Sequence, residues 1–356
     1  MKQVTKEQLN KYIKTDIEPI VRDTIIDVLN LLSNKGYGVI KYIKRINDTE
    51  FRPFDPDVLG NGPMVYEING ERREIKYDWK RYEGFVLACE EVDENNEPYI
   101  AKQILAYNLK GKLPKGQPCF RQKVIHEFLH LLSSRPKVLV EDYEYVAYTG
   151  VLKYKLRVGL DDEVNCIVDQ NGMRELNEAI TDYLSYLIYK ELYDDKFFIP
   201  YMEQDGERIS FTSPYYLTVN MLRIINLFTT LTNSPKVLLD IYLENDLDAY
   251  LDILNQRIGM DSKDLFILMY EYEKNMNVYL RDDMQGKRLF ERTTISLFKN
   301  LVYNFNVYLN SLQLSKQVKE IHLKYITANI RYLCNFPLFK NVKEEFLEEL
   351  SKVEIN

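Results

Sequence analysis

The chain holds 356 residues, enough for one elaborated domain or two lobes, and its 46% hydrophobic and 28% charged residues describe a protein that folds. A formal charge of −7, with no compact Lys/Arg block, offers no field to gather polyanions, so nucleic acid and anionic membrane are not expected as partners. The N-terminus, MKQVTKEQLNKYIK, lacks a secretory apolar core and no run of about 18 apolar residues occurs anywhere, which predicts a cytoplasmic protein.

In chain order, residues 5 to 34 predict a helix that opens with a capping box, Thr5 and Gln8, and that Pro19 kinks or splits. From Tyr37 to Leu109 the texture changes to short β-branched and aromatic runs: YGVIKYI, PMVYEI, REIKYDW, GFVLACEEV and YIAKQILAY. These predict a sheet of four to six mostly antiparallel strands. A helix bracketed by Pro118 and Pro136 follows, then strand-like YEYVAYTGVLKYKLRV and EVNCIVD, then a helix over about Arg174 to Leu192. Beyond Pro200 and the turn-rich YMEQDGERISFTSP the chain reads as almost wholly helical. The expected architecture is α+β, with a sheet-containing lobe over 1–200 and an all-helical lobe over 201–356.

The chain has three histidines, and two of them stand four apart in VIHEFLH, Val124 to His130. On a helix, His126, His130, Glu127, Ser133 and Ser134 fall within an arc of roughly 120°, and apolar residues fill the rest of the circle. Such a helix is buried, so its polar window must face water in a cleft, a partner side chain or a metal ion. Spacing i, i+4 lets two imidazoles converge on one ion, while Glu127, offset by about 100°, is set to reach a water bound there. The alternative is two core histidines satisfied by neutral hydrogen bonds.

A metal needs a third ligand. The four cysteines, Cys89, Cys119, Cys166 and Cys334, are scattered without a CxxC pair and fit reduced thiols, and the remaining histidine, His322, lies near the C-terminus. A carboxylate is therefore expected, and LNEAITDYLS offers Glu178 and Asp182 at i, i+4. Acidic residues opposite an apolar stripe are ordinarily a solvated face, and periodicity alone favours that reading.

HEFLH followed by NEAITD resembles the signature of the thermolysin-like zinc metallopeptidases, the gluzincins: HExxH with a downstream helix of the type N-E-x-x-[ST]-D. The resemblance covers two short segments. It implies a zincin-like lobe and a Zn2+ ion held by His126, His130 and Glu178, with Glu127 as general base. Asp182 would orient His126, and Asn177 would support His130. The segment between His130 and Glu178 is longer than in thermolysin and contains the two strand-like runs, so the walls of the substrate site are expected to differ.

The family implies a peptide or protein substrate, an oxyanion stabiliser from the C-terminal lobe, and pairing of the substrate with an edge strand. Tyr215, just after Pro214, is the candidate stabiliser, against an ordinary core tyrosine; His322 reads better as structural. YIAKQILAY is the candidate edge, against an internal strand. The expected function is a zinc-dependent peptidase. A regulatory or effector protease specific for one partner protein, and a non-catalytic helical interaction protein stabilised by zinc, are the alternatives.

Overall fold

A computed structural model describes residues 3–60, 62–68, 71–75, 84–92, 98–108, 117–141, 144–150, 152–158, 164–167, 173–193, 203–205, 208–210, 235–246, 284–335 and 337–355, with single positions between 222 and 253. By contact the chain forms two units. One comprises Met1–Asp169, Thr181–Phe198 and Leu243–Asn245; the other comprises Gln170–Ile180, Ile199–Tyr242 and Asp246–Asn356. Both helices and sheets are present, and no helix among the described residues is long and apolar enough to cross a membrane.

The first unit opens with α1 (Lys6–Tyr12) and α2 (Pro19–Asn34). The Thr5 hydroxyl accepts from the Gln8 amide and the Gln8 side chain accepts from the Thr5 amide, so the predicted capping box is formed. Pro19 splits the helical run by starting α2, where its missing N–H costs nothing. Arg22 donates to the carbonyls of Asn10, Ile13 and Lys14 and so closes the end of α1. Helix α3 (Ile40–Asp48) replaces the strand expected at YGVIKYI. Its apolar residues fit both periods, but the buried ones are Val39, Tyr42 and Ile46, at i, i+3 and i+7, while Ile40 is 63% exposed.

The chain continues through β1 (Thr49–Phe54), the short α4 (Pro56–Leu59), β2 (Met64–Ile68), β3 (Glu71–Ile75), β4 (Gly84–Val92) and β5 (Pro98–Asn108). Strands β2 and β3 form an antiparallel hairpin. The remaining three make a sheet in the order β1-β5-β4, with β1 parallel and β4 antiparallel to β5. YIAKQILAY therefore lies in the central strand, which corrects its assignment as an edge. The continuous burial of Gln103 to Asn108 is what a strand covered on both faces requires. Among the described residues the edges are β1 and β4. Strand β1 was not anticipated because Pro53 argues against a strand; at an edge a proline is tolerated.

Helix α5 (Gln117–Ser133) packs on α2, β4 and β5, with Val124, Ile125, Phe128, Leu129, Leu131 and Leu132 each at most 2% exposed. Full burial of side chains of this size stabilises by roughly 1.5–3 kcal/mol each, so the helix is anchored by its apolar faces. After it comes an antiparallel meander of β6 (Arg135–Glu141), β7 (Glu144–Thr149), β8 (Leu152–Val158) and β9 (Val164–Ile167), then α6 (Met173–Tyr193). At the N-terminal end of α5, Arg121 donates to Thr24 and to the Tyr193 hydroxyl, and that hydroxyl donates to Asp27. This ties α2, α5 and α6 together.

The second unit has a short hairpin, β10 (Glu203–Asp205) and β11 (Arg208–Ser210), and is otherwise helical among the described residues. Helix α7 (Pro235–Glu244) is followed by α8 (Met284–Ser311), α9 (Lys316–Leu333), α10 (Pro337–Lys340) and α11 (Lys343–Ser351). Phe298 stacks on Phe346 with ring centroids 3.8 Å apart, and Phe228 meets Phe298 and Phe305 edge-on.

Candidate metal centre

Helix α5 presents its polar window as expected. His126, Glu127 and His130 are 6%, 9% and 8% exposed, so they are largely removed from bulk water. The imidazoles meet with the Nε2 atoms 3.2 Å apart. On its other side, His126 Nδ1 lies 2.7 Å from Asp182 Oδ1 on α6. With Asp182 2% exposed, the carboxylate accepts the Nδ1 proton, which fixes the tautomer and makes His126 Nε2, the nitrogen that faces His130, the one that can ligate a cation.

Glu178, one turn before Asp182, completes the group. One ligand atom from each of His126, His130 and Glu178 lies within 4.8 Å of the other two. Two nitrogens each 2.0–2.1 Å from an ion at the tetrahedral angle lie about 3.3 Å apart, so the spacing of 3.2 Å between the imidazoles fits such an ion. Two neutral donors and one carboxylate are also the chemistry that a divalent ion of intermediate softness accepts. The residues fit a metal.

The α6 face is not solvated, contrary to what periodicity alone favours. Asp182 and Ser185 are at most 2% exposed, although they lie opposite the apolar stripe of Ala179, Ile180 and Leu184. Buried carboxylates are held at such positions by partners, because leaving a charge unpaired there is expensive.

Two residues of the surroundings were not anticipated. Gln122 donates to Ser185 Oγ at 2.6 Å and lies 3.5 Å from Asp182 Oδ1, while Ser185 donates to the Asp182 carbonyl. Their signal was present in the sequence. Gln122 precedes His126 by four residues, hence shares its face, and Ser185 follows Asp182 by three. Ser133 and Ser134, expected in the polar window, instead return their hydroxyls to the His130 carbonyl at the end of the helix.

That end is held from several sides. Arg45 donates to the carbonyls of Leu131 and Leu132, and burial pulls its pKa below the ordinary guanidinium value. Asn245, with φ 59°, donates through its single amide group to the carbonyls of Ser133 and Gly150, and the Gly150 amide donates to Ser133 Oγ. A cation and N–H donors at a helix C-terminus complement its unpaired carbonyls and its negative dipole end.

His322 is half-buried on α9 and does not belong to the metal-capable group. Tyr215, the candidate oxyanion stabiliser, lies outside the described residues. No family model matches the chain, and neither the curated proteins nor the solved structures contain a significant match.

Proposed function

We propose that this chain is a zinc-dependent peptidase built on a zincin-like lobe. The observation that carries the reading is the pairing of His126 Nδ1 with buried Asp182, beside the grouping of ligand atoms from His126, His130 and Glu178. His126, His130 and Glu178 would hold the ion, a three-ligand set of the kind that leaves a position for a water or a substrate oxygen. When bound, the ion supplies Lewis acidity, lowering the pKa of water and polarising a carbonyl.

Glu127 follows His126 directly and is nearly buried, so it is a poor surface charge and a good base. It accepts a proton from water as the water oxygen bonds to the scissile carbonyl carbon. It returns that proton to the nitrogen as the C–N bond breaks, leaving a carboxylate and an amine. Asp182 stabilises the orientation of His126 throughout, and Gln122 and Ser185 hold Asp182. Extended substrate would pair with β4, the edge strand against which α5 packs.

The test combines elemental analysis of the purified protein with proteome-wide cleavage profiling against a Glu127→Gln control. Peptide ends that form with wild type and not with the variant are the expected result. Their absence, with metal present, would leave a binding site without hydrolysis.

A further inference from the structure

Glycine occurs at the first position of β4 although a strand gains nothing from it: it has no side chain to pack and loses more backbone entropy than any other residue. Two physical needs justify a glycine, a left-handed backbone or a close approach. Gly36 and Gly60 answer the first, with φ of 91° and 55° and open space where a Cβ would stand. Gly84 does not have a positive φ; it pairs with Tyr107 in ordinary strand register. What stands against it is Glu127. A Cβ at residue 84 would lie 2.7 Å from Glu127 Cγ, 3.0 Å from Cδ and 3.0 Å from Oε1.

Carbon atoms in favourable contact sit about 3.5–4.0 Å apart, so a methyl group cannot share this space with the glutamate side chain as it stands. The α5 backbone cannot yield easily, because Ile125, Phe128 and Leu129 on either side of Glu127 are fully buried. The glutamate torsions are the soft coordinates. Relief therefore comes from turning the carboxylate away, and the strand behind it decides where it points.

We infer that Gly84 is a positioning residue for Glu127: the missing side chain at the start of β4 is the space that holds the carboxylate in its working orientation. The inference rests on the reading of Glu127 as the base. It concerns the base and not the metal ligands, since the three atoms nearest to a Cβ at residue 84 all belong to the Glu127 side chain.

The test is Gly84→Ala in the full chain, measured alone and combined with Glu127→Ala. For Gly84→Ala we expect unchanged zinc affinity by chelator competition, KM within about twofold of wild type, and kcat lowered about 100-fold, the penalty of a base misplaced by about 1 Å. We also expect a lower thermal midpoint for Gly84→Ala, with no such fall when the alanine is added to Glu127→Ala, which has no Cγ to strike. Near-normal kcat in Gly84→Ala, with wild type active, overturns the positioning role and leaves the peptidase reading intact. If wild type hydrolyses nothing, the peptidase reading falls, and the thermal cycle still decides the contact: equal midpoint shifts in both backgrounds overturn it. A Gly84→Ala chain that fails to fold, and folds no better with Glu127→Ala, overturns it as well.

Discussion

His126 Nδ1 and Asp182 Oδ1 stand 2.7 Å apart, and this one contact joins the helix of the HExxH segment to the helix of the NEAITD segment. Each segment is ambiguous in the sequence by itself. Their juxtaposition in the fold makes the buried acid a partner of the histidine.

Removing that partner should loosen the metal without abolishing it. Asp182→Ala is expected to weaken zinc binding by roughly 10–100-fold, the usual cost of losing the group that orients a ligating histidine. Glu178→Ala should cost more, because a direct bond and the anionic ligand charge disappear together. Competitive chelator titration of both variants reads the order. Equal, near-wild-type affinities would move the third ligand elsewhere.

Glu127→Gln should keep about one zinc per chain and lose at least about 100-fold in hydrolysis, since the amide neither coordinates nor accepts a proton. Elemental analysis and peptide cleavage on the same sample check both halves. A fully active variant would remove Glu127 as the base.

Asn245→Ala should destabilise the protein by about 3–4 kcal/mol: roughly 1 kcal/mol for each of two hydrogen bonds, and about 1–2 kcal/mol for placing alanine at φ 59°. Asn245→Gly escapes the backbone cost and should lose only about 2 kcal/mol. Urea unfolding of the pair isolates the strain, and identical losses would show that the left-handed backbone costs nothing here.

Alkali should expose the Tyr193 cluster. Burial, followed by the adjacent Asp27 carboxylate, pushes the Tyr193 phenol from 10 up to about 12. The folded state thus holds its proton more tightly than the unfolded chain, so the associated stability is fully present below pH 10 and is lost as pH rises from 10 towards 12. Tyr107, also raised to about 12 by burial and then by Glu18, acts in the same direction. Tyr193→Phe should flatten part of that alkaline fall in unfolding free energy. An unchanged slope would mean that Tyr193 contributes nothing to it.

The metal-capable group was legible in the sequence because helix periodicity is local: His126 and His130, like Glu178 and Asp182, share a face whatever surrounds them. The capping box at Thr5 and the break at Pro19 are local for the same reason. Strand partners are not. YIAKQILAY has the same residues at an edge or in the centre, and only the approach of β1, disguised by Pro53, decides. YGVIKYI satisfied two periods at once, and burial of Tyr42 and Ile46 selected the helix. Gly84 has no local signature at all, since the reason for it lies on another element.

Asn245 carries a consequence for how the centre comes into being. Its bonds to Ser133 and Gly150 close loops of 112 and 95 residues, and Leu243–Asn245 belong by contact with Met1–Asp169 although they follow it only after a long excursion of the chain. The last turn of α5, where His130 sits, can thus be held by Arg45 as soon as it forms, but by Asn245 only once residue 245 has been made. A fragment ending at residue 200 carries every proposed ligand and Arg45 yet lacks the Asn245 amide that joins Ser133 to Gly150, so ligand content and a finished centre are separate properties of this chain.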